Sequence, residues 1–164
     1  MIPDIKYICP NSIDDVLSVL ETKNNSAKII AGGTDIIPGF QIKSKRFANI
    51  KTLVDVKNIQ EIDQIELSEN GITIGAATTF TQILNNSLIA SHYPLLKKAA
   101  STIGSVQIRN RATIGGNFIN NAPCADSVPP LLVYNAKIHI RSKNVERVIP
   151  LQEFLEYPYK LSLP

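Results

Sequence analysis

Tryptophan is absent from this sequence, methionine occurs once, and histidine and cysteine twice each. Each shortage removes a class of chemistry. Cys9 and Cys124 lie far apart with no CxxC spacing, so the chain cannot by itself build a cysteine-ligated zinc site or iron–sulfur cluster. Reduced structural thiols are expected. His92 follows a loop-like Ala90-Ser91 and His139 sits in an expected strand, so Ser/His/Asp catalysis is poorly served and both are read as structural. There is no G-x-G-x-x-G and no G-x-x-x-x-G-K-[ST], which excludes the usual dinucleotide turn and the kinase-type phosphate loop. No apolar run approaches the roughly 18 residues of a membrane span, and no basic stretch followed by an apolar core opens the chain. A cytoplasmic protein with no membrane partner is therefore expected. Charge of one sign is also scarce: the net charge of +3 is spread without interleaved aromatics, which argues against nucleic acid. Lys43, Lys45 and Arg46, the densest basic stretch, read as a solvated loop.

What the chain does have is glycine in pairs. Ile29-Ile30-Ala31-Gly32-Gly33-Thr34-Asp35-Ile36 is an apolar strand running into two glycines, and Thr113-Ile114-Gly115-Gly116-Asn117 repeats that order. Without a Cβ, successive backbone N–H groups can converge on one anion. Taken singly, each pair also fits a plain tight turn. Two in one domain point toward a diphosphate held from two sides.

The 164 residues, 44% of them hydrophobic, suffice for one sizeable core or two small subdomains. A strand over Lys6–Ile8, a helix capped by Ser12 with its apolar stripe on Ile13, Val16, Leu17 and Leu20, and a strand over 28–31 form a βαβ pattern. Thr34 is expected to cap a helix running to Lys43, and a third strand over 52–56 closes this part near residue 57. Alternating residues flank Ser68-Glu69-Asn70-Gly71, predicting a hairpin turn at Asn-Gly. Helices are expected over 79–84 and 94–103, an alternating extended stretch over 106–111, a proline-started helix from Ser127 to Tyr134, and a second hairpin over 136–150. Asp126 has two uses, a helix cap or hydrogen bonds to a ribose diol, and by itself the sequence favours the cap. Arg109 and Arg111 suit either a phosphate or an ordinary surface. The apolar ending Leu161-Ser162-Leu163-Pro164 is read as a sign of a missing downstream segment.

Together, Ala31-Gly32-Gly33-Thr34-Asp35, Arg109-Asn110-Arg111-Ala112-Thr113-Ile114-Gly115-Gly116-Asn117 and Ala122-Pro123-Cys124-Ala125-Asp126 resemble the FAD-binding subunit of molybdenum hydroxylases. That family includes xanthine dehydrogenase, carbon monoxide dehydrogenase and 4-hydroxybenzoyl-CoA reductase. The resemblance implies an α+β, two-subdomain FAD-binding domain of the vanillyl-alcohol-oxidase type. A small N-terminal βαβ subdomain (1–57) would face a larger one (58–164) built on an antiparallel sheet with helices, with FAD between them. It implies that residues Ile29, Ile30, Ala31, Gly32, Gly33, Thr34, Asp35 and Ile36 wrap the diphosphate and adenosine. Thr113, Ile114, Gly115, Gly116, Asn117 and Asn120 would hold the other face. Asp126 would bind the ribose, reversing the preference for a cap, and Ile103, Gly104 and Leu163 would lie near the flavin.

The resemblance further implies an oxidoreductase that takes electrons from [2Fe-2S] clusters on a small subunit, fed by a molybdopterin-binding large subunit, and passes them through FAD to NAD or another acceptor. No catalytic acid, base or metal ligand is expected from this chain. Two departures stand out: the family's C-terminal domain is absent from these residues, and Cys124 sits where a small residue is common. A free-standing FAD reductase like UDP-N-acetylenolpyruvoylglucosamine reductase and a flavin-free assembly module are the alternatives.

Overall fold

The computed structural model describes residues 4–69, 71–157 and 160–161. The chain begins with β1 (Lys6–Ile8) and α1 (Ile13–Lys23). The Ser12 hydroxyl oxygen accepts the Asp15 N–H at 3.1 Å and its O–H donates to the Asp15 carboxylate at 2.8 Å, fixing the start of α1 as expected. A single 3-10 turn leads to β2 (Ala27–Ile30), then come α2 (Ile36–Gln41) and β3 (Thr52–Asp55). The three strands form a parallel sheet in the order β1-β3-β2, with Lys6 opposite Thr52 and Ile29 opposite Val54. As the central strand, β3 is buried along its whole length, as expected of a parallel strand covered on both faces. Leu53 packs with Ile30, Phe40 and Phe47 on one side, and Val54 with Val16, Val56 and Ile59 on the other.

Two expectations fail here. Thr34 does not cap α2: Asp35 holds the N-cap position and makes no side-chain cap bond. The helix also stops at Gln41 rather than Lys43, because Lys43 turns to a φ of 53° that no right-handed helix accommodates. At the other edge, the Tyr7 hydroxyl donates to the buried Asp55 carboxylate, tying β1 to β3. Desolvation at that end of the ring and the neighbouring Asp55 charge push the Tyr7 hydroxyl up to about 12.

The rest of the chain surrounds a helical core. A hairpin of β4 (Ile65–Ser68) and β5 (Gly71–Ile74) comes first, with Ser68 opposite Gly71, so Gly71 flanks the turn instead of sitting inside it. Then follow α3 (Phe80–Asn85), α4 (Ser87–His92), α5 (Pro94–Thr102), α6 (Val106–Arg109), α7 (Ile114–Ile119) and α8 (Val128–Val133). A second hairpin, β6 (Lys137–Arg141) with β7 (Glu146–Pro150), runs into α9 (Leu151–Phe154), β8 (Leu155–Tyr157) and β9 (Lys160–Leu161). Phe80, Ile83, Ile89, Leu96, Leu151 and Phe154 are almost completely buried together. None of the helices among the described residues is long and apolar enough to cross a membrane.

Three further expectations are corrected. No larger antiparallel sheet forms among the described residues: the hairpins stay as separate two-stranded pairs, and Ile65, Ile72, Ile74, Ile138, Ile140 and Ile149 pack against the buried core. His92 belongs to α4, whose N-cap Asn86 accepts the Ile89 N–H at 3.1 Å. The 106–111 stretch, expected to be extended, holds a helical turn (Val106–Arg109) capped by Ser105, since its two apolar residues, Val106 and Ile108, are too few to fix a period.

Candidate functional site

The loop from Ala31 to Asp35 leaves the carboxyl end of the parallel sheet and meets the α6–α7 connection of the helical lobe. Gly32 makes that contact possible. A Cβ there would lie 2.2 Å from the Arg111 carbonyl oxygen and 2.8 Å from the Ala112 Cα, both backbone atoms that cannot swing away. Gly33 follows with a φ of 75°, a left-handed turn that a glycine adopts without a Cβ penalty. The N–H groups of Gly32, Gly33, Thr34, Asp35 and Ile36 have no acceptor among the described residues. The next amide, Ile37, closes the helix onto the Gly33 carbonyl at 3.1 Å. Successive open amides of this kind form a concave anion site.

The second glycine pair behaves differently, and this corrects the idea of two equivalent amide nests. Gly115 and Gly116 lie inside α7. The Ile114 N–H donates to the Thr78 carbonyl at 2.9 Å, Gly115 to Ala76 at 3.0 Å, Gly116 to the Thr113 hydroxyl at 3.1 Å, and Asn117 to the Thr113 carbonyl at 3.0 Å. A Cβ on Gly115 would meet the Ala76 carbonyl oxygen at 2.7 Å. This pair packs a helix tightly against its neighbour and has no amide left for a ligand. The side chain of Asn117 is the more available group. Its Oδ1 accepts the Ser127 hydroxyl at 2.6 Å, which orients the amide and leaves Nδ2 without an acceptor among the described residues.

A cleft of about 440 Å3 lies between these two walls, within the roughly 300–1,000 Å3 usual for cofactor sites. Ile29, Ile30, Ala31, Gly32, Gly33, Thr34, Asp35 and Ile36 line one side, and Thr113, Gly116, Asn117 and Asn120 the other. Ile29 and Ile119 are about half exposed inside it and make an apolar shelf. Ile114 and Gly115 are buried behind the wall. Asp126 is exposed beyond the lining residues Cys124 and Ala125, and it is not a cap, because Ser127 holds that position. Ile103 and Gly104 stand outside the cleft, where their carbonyl oxygens accept from the Arg109 guanidinium at 2.9 and 3.3 Å. Arg109 therefore stabilises a turn. Leu163 lies outside the described residues.

The two cations among the lining residues, Lys28 and Arg46, escaped the sequence reading as site residues, as did Phe47. Arg46 is exposed on its loop, as expected, and its head group is also tied into the cleft. Its guanidinium lies 3.4 Å from the Asp35 carboxylate and donates to the Asn120 side-chain oxygen on the opposite wall. Its spacing from the first glycine pair carries no signal, because only the turn over Lys45–Phe47 brings it back.

A parallel sheet that opens at its carboxyl end onto a row of free amides, facing a helical lobe across a cleft, defines a domain built to hold an elongated anionic cofactor. Residues 3–164 match the family described as FAD binding domain in molybdopterin dehydrogenase, and the chain belongs to that family. It is 42% identical over 153 residues to the xanthine dehydrogenase FAD-binding subunit of Escherichia coli O157:H7, covering 93% of this chain and 51% of that protein. It is 36% identical to the nicotinate dehydrogenase FAD-subunit of Eubacterium barkeri, with the same coverage of 93% and 51%. Its fold superposes on a chain of carbon monoxide dehydrogenase from Hydrogenophaga pseudoflava with a TM-score of 0.94 at 28% identity, over 100% of this chain and 56% of that one. Quinoline 2-oxidoreductase from Pseudomonas putida 86 gives 0.92 at 26% identity, covering 100% and 56%. The chain thus spans about half the length of the relatives it matches.

The residues present fit FAD. The row of unbonded amides suits a diphosphate, the apolar shelf suits a planar base, and among the lining residues the two cations exceed the single carboxylate, Asp35.

Proposed function

We propose that this chain is the FAD-binding part of the flavoprotein subunit of a molybdopterin-dependent, xanthine dehydrogenase-like oxidoreductase. The observation that carries the reading is the run of five open amides from Gly32 to Ile36 at the edge of the cleft. In this reading the diphosphate rests on those amides, and Asn117 Nδ2, Thr113, Gly116 and Asn120 face it from the other wall. Ile29, Ile30 and Ala31 border the adenosine end. Asp126 reaches the ribose from the mouth, and Ile103 and Gly104 lie on the isoalloxazine side. Ile114 and Gly115 act from behind, holding the wall in place. The two lobes, 1–57 and 58–164, then correspond to the halves of a vanillyl-alcohol-oxidase-type flavin domain.

Bound FAD supplies reversible electron transfer, and the protein supplies binding and orientation. Electrons come from [2Fe-2S] clusters on a small partner subunit, which draws them from a molybdopterin-binding large subunit, and leave to NAD or another acceptor. The complex is cytoplasmic. Among the described residues no cluster of His, Cys, Asp or Glu is placed to hold a metal, so the reading assigns those centres to the partner chains. The relatives' names, which are those of dehydrogenase flavoprotein subunits, support it.

Calorimetric titration tests the site with FAD, FMN and riboflavin. FAD should bind at least about tenfold more tightly than FMN, because only FAD has a diphosphate to span the amide row. Equal affinity for FAD and FMN, or no binding of FAD, contradicts the reading.

A further inference from the structure

The loop between α2 and β3 carries a side chain that crosses the cleft. Arg46 leaves a turn anchored by the buried Phe47, and its guanidinium sits over the Phe47 ring at 5.1 Å from the centroid. One edge faces the Asp35 carboxylate at 3.4–3.5 Å, and Nη2 donates to the Asn120 side-chain oxygen at the end of α7. Arg46 thus starts on the sheet lobe and ends on the helical lobe. We propose that Arg46 is the strap of the dinucleotide cleft, closing over the diphosphate and tying the two lobes through Asn120, so that release of the cofactor requires this tie to open. The proposal rests on the FAD reading given above.

Three observations carry it. The first is position: the Asp35 backbone N–H belongs to the open amide row, so a guanidinium held at the Asp35 carboxylate stands beside the anion's place. The second is charge. A diphosphate set next to Asp35 brings like charges together, and of the two lining cations, Lys28 and Arg46, the structure pairs Arg46 with that carboxylate. The third is shape: a planar fork with five N–H donors can bond a carboxylate, an amide oxygen and a phosphate at once, which an ammonium cannot do in the same geometry. A long side chain from a rigid turn to the far wall is also a kinetic barrier, because a ligand beneath it leaves only after the Asn120 bond breaks.

The test uses the full chain with FAD as the probe, in the wild type and in Arg46→Gln, Arg46→Lys and Asn120→Ala. Flavin fluorescence gives the FAD release rate, and titrations at low and high salt give the affinity. Arg46→Gln should lose about tenfold in affinity, most of it as faster release, with a shallower salt dependence because one cation has gone. Arg46→Lys should keep the salt dependence and still release FAD faster. Asn120→Ala should do the same, and it keeps the proposal testable if Arg46→Gln fails to fold. If the wild type binds FAD and all three variants release it at the wild-type rate, the strap is overturned while the cleft reading stands. If the wild type binds no FAD, the cleft reading falls, and the strap with it.

Discussion

Gly32→Ala is the substitution that the geometry makes most costly for so small a change. The added carbon would sit 2.2 Å from the Arg111 carbonyl oxygen, 2.7 Å from its carbon and 2.8 Å from the Ala112 Cα, all main-chain atoms. Ordinary contact begins near 3.4 Å, so one wall of the cleft must move by about 1 Å, a shift of the kind that costs roughly 1–3 kcal/mol in a well-packed contact. For a chain of 164 residues, at about 2–4 °C per kcal/mol, that corresponds to a fall in melting temperature of about 2–12 °C. The same shift moves the amide row. If two of the five N–H groups drop out of reach of a charged acceptor, at about 1.5 kcal/mol each, affinity falls by about 3 kcal/mol, on the order of a hundredfold. Thermal denaturation without ligand and FAD titration measure the two effects separately. Gly71→Ala is the control: Gly71 also has a positive φ, of 130°, but opens β5 beside the hairpin turn and does not line the cleft, so it should lose stability and keep FAD affinity. A Gly32→Ala protein that binds FAD within about threefold of wild type would refute the reasoning, because the walls would then tolerate the movement.

Other expectations follow from the same contacts. Gly115→Ala should destabilise the chain by about 1–3 kcal/mol in chemical denaturation, because its Cβ would meet the Ala76 carbonyl oxygen at 2.7 Å. Thr79→Ala removes the capping box in which the Thr79 oxygen accepts the Gln82 N–H at 3.3 Å, and should cost about 1 kcal/mol by the same assay. For Tyr7, the folded pKa of about 12 lies above the ordinary 10.0. The protonated hydroxyl, bonded to Asp55, therefore contributes stability that is complete below pH 10 and is lost as pH rises toward 12. Tyr7→Phe should remove that part of the alkaline loss, seen as a flatter stability profile above pH 10.

The sheet lobe was the most legible part of the sequence. Its strands are short apolar runs with helices between them, and a buried central strand such as β3 has little choice of partner once both faces are covered. The helical lobe was harder to read. The stretch 106–111 has two apolar residues, Val106 and Ile108, too few to fix a period, and the cap at Ser105 decides it. The Gly32–Gly33 loop drew notice only as one of two such pairs, because a single glycine pair after an apolar strand also fits a plain tight turn. The Gly115–Gly116 pair looked the same in sequence and is not: the carbonyl groups that take its amides belong to Ala76 and Thr78, whose closeness only the folded chain reveals. Arg46 was missed for the same reason. A basic residue in a polar loop carries no mark of the direction its side chain takes, and here the buried Phe47 sets it.

Amide chemical shifts measured by two-dimensional NMR on the 18.0 kDa chain test most directly whether the open amides hold the diphosphate. Adding FAD should shift the Gly32, Gly33, Thr34, Asp35 and Ile36 amides strongly, ADP should reproduce those shifts, and riboflavin should not. The Gly115 and Asn117 amides, already bonded within the protein, should move little. Shifts centred on Ile114–Asn117 instead, or a response to riboflavin equal to that to FAD, would contradict the account.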